Sequence, residues 1–199
     1  MGKFDKVFAG IILGFIILAV SFYGFWWGGF AAGLDVKVSA ITGIIVGILI
    51  DVIFLGKLLP GFYHLSRLAL LLLYAAYSIG IFGFFMGVPV FNVVPGVLAG
   101  LYVGRKMKIT GQPQAVFKEE MRKIARFSLV VLLSVCFCSA FMALQDPFTG
   151  ANLRGMLHLN FEVTKTHVWL LIILGGAGLL LLQRVLLMIA GRMAYESIS

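Results

Sequence analysis

The chain has 199 residues, 61% of them hydrophobic and only 12% charged, with a net charge of +8. Soluble domains average about 25% charged residues, so this composition, a mean hydropathy of +1.07 and apolar runs of about 18 residues or more point to a helical integral membrane protein. A disulfide scaffold, a disordered chain and a soluble nucleic-acid module are excluded; Cys136 and Cys138, two apart in an apolar run, would point about 200° apart on a helix and cannot bridge each other.

Uncharged stretches predict membrane spans at roughly 7–29, 38–56, 68–88, 89–104, 127–145 and 168–190. The expected fold is all-α: a compact bundle of six transmembrane helices forming one domain over 1–199. The first run is too long for a signal-peptide core of about 7–15 residues and reads as a retained span. The fourth span is short, because its 16 residues rise about 24 Å against a hydrocarbon core of about 30 Å. It must thin the bilayer, lie buried among its neighbours or be partly re-entrant. With the N-terminus inside, thirteen of the sixteen Lys and Arg residues are cytoplasmic and only Lys37, Arg154 and Lys165 lie outside. That asymmetry predicts cytoplasmic N- and C-termini in a multi-pass cell-membrane protein. Tyr23, Trp26, Trp27 and Trp169 then fall at the outer interface, where amphipathic rings prefer to sit.

In chain order, glycine and serine recur at intervals of four: Gly10 and Gly14; Ser39, Gly43 and Gly47; Gly83 and Gly87; Gly96, Gly100 and Gly104. Each set marks one helix face where backbones can approach closely, either within the bundle or toward a docking partner. Asp51 lies deep in the second span, where an ionised carboxylate is expensive and is paired or functional. Its expected partners are Lys57, His64 and Arg67 at the inner end, and the sharper alternative is a proton or cation site. The stretch Gly87 to Gly96 holds Pro89, Asn92 and Pro95. Proline there interrupts helix at membrane depth, as transporter sites do, unless Asn92 simply caps the next helix after an outer turn.

The segment 105–126 carries seven basic and two acidic residues. Val116, Phe117, Met121, Ile124 and Ala125 recur at helical spacing, which predicts a basic amphipathic helix in the inner headgroup layer, or a solvated loop that merely fixes topology. The polar outer segment 146–167, with turn chemistry at Asp146-Pro147 and Thr149-Gly150, could fold over the mouth of a cavity. His158 and Glu162 would share a helical face there, with His167 nearby, but a third ligand of defined geometry is missing, so no metal is expected. No cofactor signature and no nucleophile elbow, zinc-protease helix or phosphate-binding glycine loop appears, and an enzyme is not expected.

The run Gly43-x-x-x-Gly47-x-x-x-Asp51, followed by Pro60-Gly61-Phe62 before the next span, resembles the second helix and following loop of the substrate-binding S components of energy-coupling factor transporters, of the folate type. The likeness covers about 20 residues. It implies a small integral receptor that captures a vitamin-like solute from outside and docks on a transmembrane partner subunit with two ATPases.

Three function classes follow. A transport protein would hold a small solute in an outward cavity, with Asn92 and Asn152 as hydrogen-bonding groups, Arg154 as a charge for an acid, and Trp26, Trp27 and Trp169 as apolar walls. A non-catalytic assembly subunit would use the glycine faces to dock into a larger membrane complex. A lipid-modifying membrane enzyme would hold lipid in a cleft lined by His64 and Asp51. Membrane lipids are partners in all three, and nucleic acid in none.

Overall fold

The computed structural model describes residues 2–85, 87–156 and 158–197. Among them the chain is all-helical: α1 (Lys3–Ala31), α2 (Val36–Leu58), a 3-10 turn (Leu59–His64), α3 (Arg67–Phe84), a second 3-10 turn (Pro89–Asn92), α4 (Val93–Ile109), α5 (Gln114–Gln145), α6 (Thr149–Met156), α7 (Lys165–Leu170), a π turn (Leu171–Gly175) and α8 (Gly176–Glu196). Among the described residues five segments are long and apolar enough to cross a membrane: Lys3–Ala31, Val36–His64, Arg67–Phe84, Gln114–Gln145 and Lys165–Glu196. Large apolar side chains such as Ile11, Val52, Ile79, Phe137 and Leu174 are exposed along them. Bare apolar helix surface of this extent is stable only in lipid, and the protein is a helical membrane protein. Two compact units divide the chain, Met1–Leu73 and Tyr74–Ile198, with α3 passing from one to the other.

In the first unit, α1 and α2 form an antiparallel hairpin. Gly33, in the left-handed region at φ +68°, makes the turn, and Asp35 caps α2 by accepting from the backbone N–H groups of Lys37 and Val38 at 2.8 and 3.1 Å. The buried residues of α2 are Ser39, Gly43 and Gly47, the small-residue set marked by the sequence. They face Gly29, the Ser21–Phe25 turn and Leu18 of α1 so closely that a Cβ on Gly43 would sit 2.8 Å from the Ser21 carbonyl oxygen. Here the four-residue repeat is a packing seam within the chain. At the hairpin's other end, Phe62 and Tyr63 of the 3-10 turn are buried, Phe62 packs edge-on against Phe8, and Tyr63 Oη donates to Asp5 Oδ1 at 2.9 Å. Asp5 thus joins the two chain segments, a role its place among N-terminal charges did not suggest.

The second unit rests on α4 and α8. Gly96, Gly100 and Gly104 lie against Gln183, Leu187 and Gly191 in turn, a constant offset that makes the two helices parallel. The Gly100 position abuts the Leu187 carbonyl oxygen and the Gly104 position that of Gly191, approaches that only glycine permits. Arg105 Nη1 donates to Ser197 Oγ at 3.0 Å beside this seam. The fourth helix therefore begins at Val93 and runs to Ile109, four to five residues later than the 89–104 span expected. The preceding four residues are wound as a 3-10 turn behind Pro89.

The basic amphipathic segment differs from expectation. Instead of a separate helix in the headgroup layer, its latter part is the start of the 32-residue α5, reached through a tight turn at Gly111 with φ +63°. Its apolar face is consumed by protein: Phe117, Met121 and Ala125 are buried with Leu187, and Phe117 stacks on Tyr195 with ring centroids 4.3 Å apart. Helical periodicity cannot distinguish a face that meets lipid from one that meets another helix.

Candidate functional site

Three elements of the second unit lose regular α geometry near one another. Gly87, with φ +81°, turns the chain after α3 into the Pro89–Asn92 3-10 turn. α5 ends at Gln145, where Asp146 accepts from the Phe148 N–H at 2.9 Å and Thr149 Oγ1 donates to the Ala143 carbonyl at 2.7 Å, starting α6. The chain then re-enters through α7 and widens into the π turn 171–175 before α8. Between these elements lies a partly open cavity of about 670 Å³.

Its walls come from Gly87–Val90, the last turns of α5, α6, the π turn and the first turn of α8. Met142, Met156, Leu153, Leu171, Ile172 and Leu179 make the body apolar; Ser139, Asp146, Thr149 and Asn152 supply polar groups. From α6 the contributors are Thr149, Asn152, Leu153 and Met156, the i, i+3, i+4, i+7 set of one helix face. The opposite face, with Gly150, Ala151, Arg154 and Gly155, borders a second hollow that Glu162 and His158 also line. Among the described residues that line the first cavity, Asp146 is the one carboxylate, and none is a lysine or arginine.

The predicted site residues are scattered relative to this cavity. Asn152 lines it, and among the described residues its carboxamide has no hydrogen-bond partner. Arg154 does not; its Nε donates to the Leu159 carbonyl at 3.4 Å on the other face of α6. Asn92 occupies the N-cap position of α4 without capping it: buried to 2% exposure, it donates through Nδ2 to the Ser78 carbonyl at 2.8 Å. Trp169 follows the cavity-lining Val168 by one residue, a rotation of about 100° that turns it outward. Trp26 and Trp27 belong to the first unit, where they are exposed and pack edge-on with Phe22 and Phe30.

The pairing expected for Asp51 is corrected. Its carboxylate lies against Gly14, with Oδ2 3.4 Å from where a Cβ would stand, and among the described residues Oδ1 has no hydrogen-bond partner and Asp51 forms no ion pair with Lys57, His64 or Arg67. Asp51 is the fourth member of the 39, 43, 47 stripe, so α2's geometry turns it into the hairpin seam. His64 and Arg67 are exposed. His158 and Glu162 likewise do not share a helix, because α6 ends at Met156 and His158 adopts φ +50°, while His167 Nδ1 accepts from the Thr164 N–H at 3.1 Å as part of the cap of α7. Among the described residues no cluster of three metal-ligating side chains exists.

One arrangement escaped sequence reading. Tyr74 of α3, Ser128 of α5 and Gln183 of α8 form a buried polar node: Tyr74 Oη and Ser128 Oγ lie 2.9 Å apart, and Gln183 Nε2 reaches the Ser128 carbonyl at 3.0 Å, Tyr74 Oη at 3.3 Å and Ser128 Oγ. Gln183 Oε1, Asn92 Oδ1 and Ser78 Oγ, all buried, have no partner among the described residues. A glutamine between the 15-residue apolar run Val168–Leu182 and Arg184 was the available signal. In comparisons with known proteins, no family model, curated protein or solved structure matches the chain.

Proposed function

We propose that this membrane protein is a non-enzymatic receptor of the transport class, holding a small solute in the cavity between the 87–90 stretch, α5, α6 and the π turn. The observation that carries the reading is the cavity: about 670 Å³, apolar in its body with a few polar groups from the 139–152 region, it has the size and chemistry of small-molecule sites. The π turn in its wall adds support, because such single-turn bulges are frequent at functional sites. The resemblance to S components implies a vitamin-like solute and a transmembrane partner subunit with ATPases. Gly10 and Gly83, where among the described residues no atom beyond their own chain neighbours and helix backbone comes within 4 Å of a placed Cβ, leave open positions on α1 and α3 for that docking. The same positions favour the second reading, an assembly subunit without a ligand.

Native mass spectrometry of the gently extracted protein separates these readings. A non-peptide mass at one per chain is expected, lost in Ala140→Trp, which fills the cavity wall; a bare mass for both proteins, with a stoichiometric partner, gives the function to the assembly reading.

The reading includes six crossings in the cell membrane, both termini cytoplasmic and the cavity facing outward. The parallel course of α4 beside the spanning α8 supports it, since two parallel crossings fit a fourth and a sixth span. A cysteine at Thr149 should react with an impermeant thiol reagent in intact cells and one at Gln112 should not, in a background lacking Cys136 and Cys138. The reverse pattern removes the orientation.

A further inference from the structure

The sequence offered Arg154 as the charge that would receive an acid. The geometry around the cavity reverses that sign. Arg154 sits on the far face of α6, beside Glu162, while Asp146 borders the cavity. One carboxylate oxygen of Asp146 accepts from the Phe148 N–H; for Oδ2 no partner exists among the described residues, and no Lys or Arg side chain lines the cavity. Asp146 also terminates α5, a helix of 32 residues, and the carbonyl end of a helix carries partial negative charge that favours cations. The N-terminus of α6 opposes this, but α6 is an eight-residue helix and the Phe148 N–H just before it is already bonded to Asp146 Oδ1, while Thr149 Oγ1 bonds one of the α5 end carbonyls, that of Ala143, and leaves the others of the last turn. Charge and dipole at the polar end of the cavity are therefore net negative over an apolar body of methionine, leucine and isoleucine.

We infer that the solute is a small amphiphilic cation, with an apolar body lying against Met142, Leu153 and Ile172 and an ammonium head directed at Asp146 and Asn152. Carboxylates and phosphates are disfavoured, because the cavity holds no cationic side chain to replace their lost hydration. This rests on the solute-receptor reading and narrows it by charge.

Three probes sharing one body test it: 6-phenylhexylamine, 6-phenylhexanol and 6-phenylhexanoate, titrated calorimetrically into the full-length protein in a neutral detergent. The amine should bind at least about tenfold more tightly than the carboxylate, with the alcohol between them, and Ala140→Trp should abolish binding of all three. Asp146→Asn keeps the turn, since asparagine makes the same side-chain bond to the backbone two residues on. It should reduce the amine's advantage to about twofold while leaving the alcohol's affinity unchanged. Equal binding of the three, or an amine preference that survives Asp146→Asn, overturns the charge assignment and leaves the cavity standing. Tighter binding of the carboxylate does the same. Absence of binding by every probe removes the receptor reading and this inference together.

Discussion

The α4–α8 seam and the cavity belong to the same compact unit and both use glycine, with opposite results. In the seam, Gly96, Gly100 and Gly104 repeat every four residues on a regular helix, and the neighbouring helix closes onto them until backbone meets backbone. Around the cavity, Gly87 occurs at a left-handed turn and Gly175 ends a π turn. Glycine on an unbroken α-helix removes side chain from a face that another helix can then reach. Glycine where the backbone departs from α geometry lets the chain bend away, and the space beside it stays open. The contrast is one of backbone regularity, not of composition.

The strongest test of that contrast is Gly100→Leu set against Ala140→Trp. A side chain at 100 would drive into the Leu187 carbonyl and lie 3.3 Å from the Gly191 nitrogen, atoms that cannot move without parting the helices. A loss of about 3 kcal/mol, at the upper end of overpacking effects, or failure to recover folded protein is expected in thermal melts in detergent. Ala140→Trp adds at least as much volume but adds it to a void, and should change stability by less than about 1 kcal/mol. Comparable losses in the two variants would break the distinction between a closed seam and a hollow.

A smaller effect sharpens the seam's upper end, where Gln183 rather than an apolar residue meets Gly96. Gln183→Met preserves shape and removes the bonds to Ser128 and Tyr74, which remain bonded to each other. Hydrogen bonds between membrane helices average about 0.6 kcal/mol, and the partnerless Oε1 disappears with the substitution, so a loss of about 1 kcal/mol or less is expected. A double-mutant cycle with Ser128→Ala should show positive coupling. If Gln183→Met is instead more stable than the natural chain, the node does not contribute to stability, and its retention calls for a functional cause.

Much of the candidate site was visible in the sequence as location and little of it as chemistry. The breaks at Pro89 and Asp146-Pro147 mark where regular backbone ends, and these are the places that border the cavity. The individual side chains were harder to assign. Asn92 was chosen for its polarity, but its amide is taken by the Ser78 carbonyl one helix away. Arg154 and Asn152, two residues apart on α6, face different hollows because a helix turns about 200° between them. Asp146 was read only as a turn residue.

Composition and the four-residue repeats were sufficient by themselves to establish a helical membrane protein and to mark the small-residue faces of α2 and α4, because lipid requires apolar helices and close packing requires small side chains in register. Which surface meets each face depended on tertiary structure. Gly10 and Gly83 repeat in the sequence like Gly43 and Gly100, yet among the described residues no other helix closes onto them, and the apolar face of 116–125 meets protein through Phe117, Met121 and Ala125. Periodicity specifies a direction around a helix axis; only the packed structure specifies what lies in that direction, and whether it is another backbone, a lipid or a space left for a ligand.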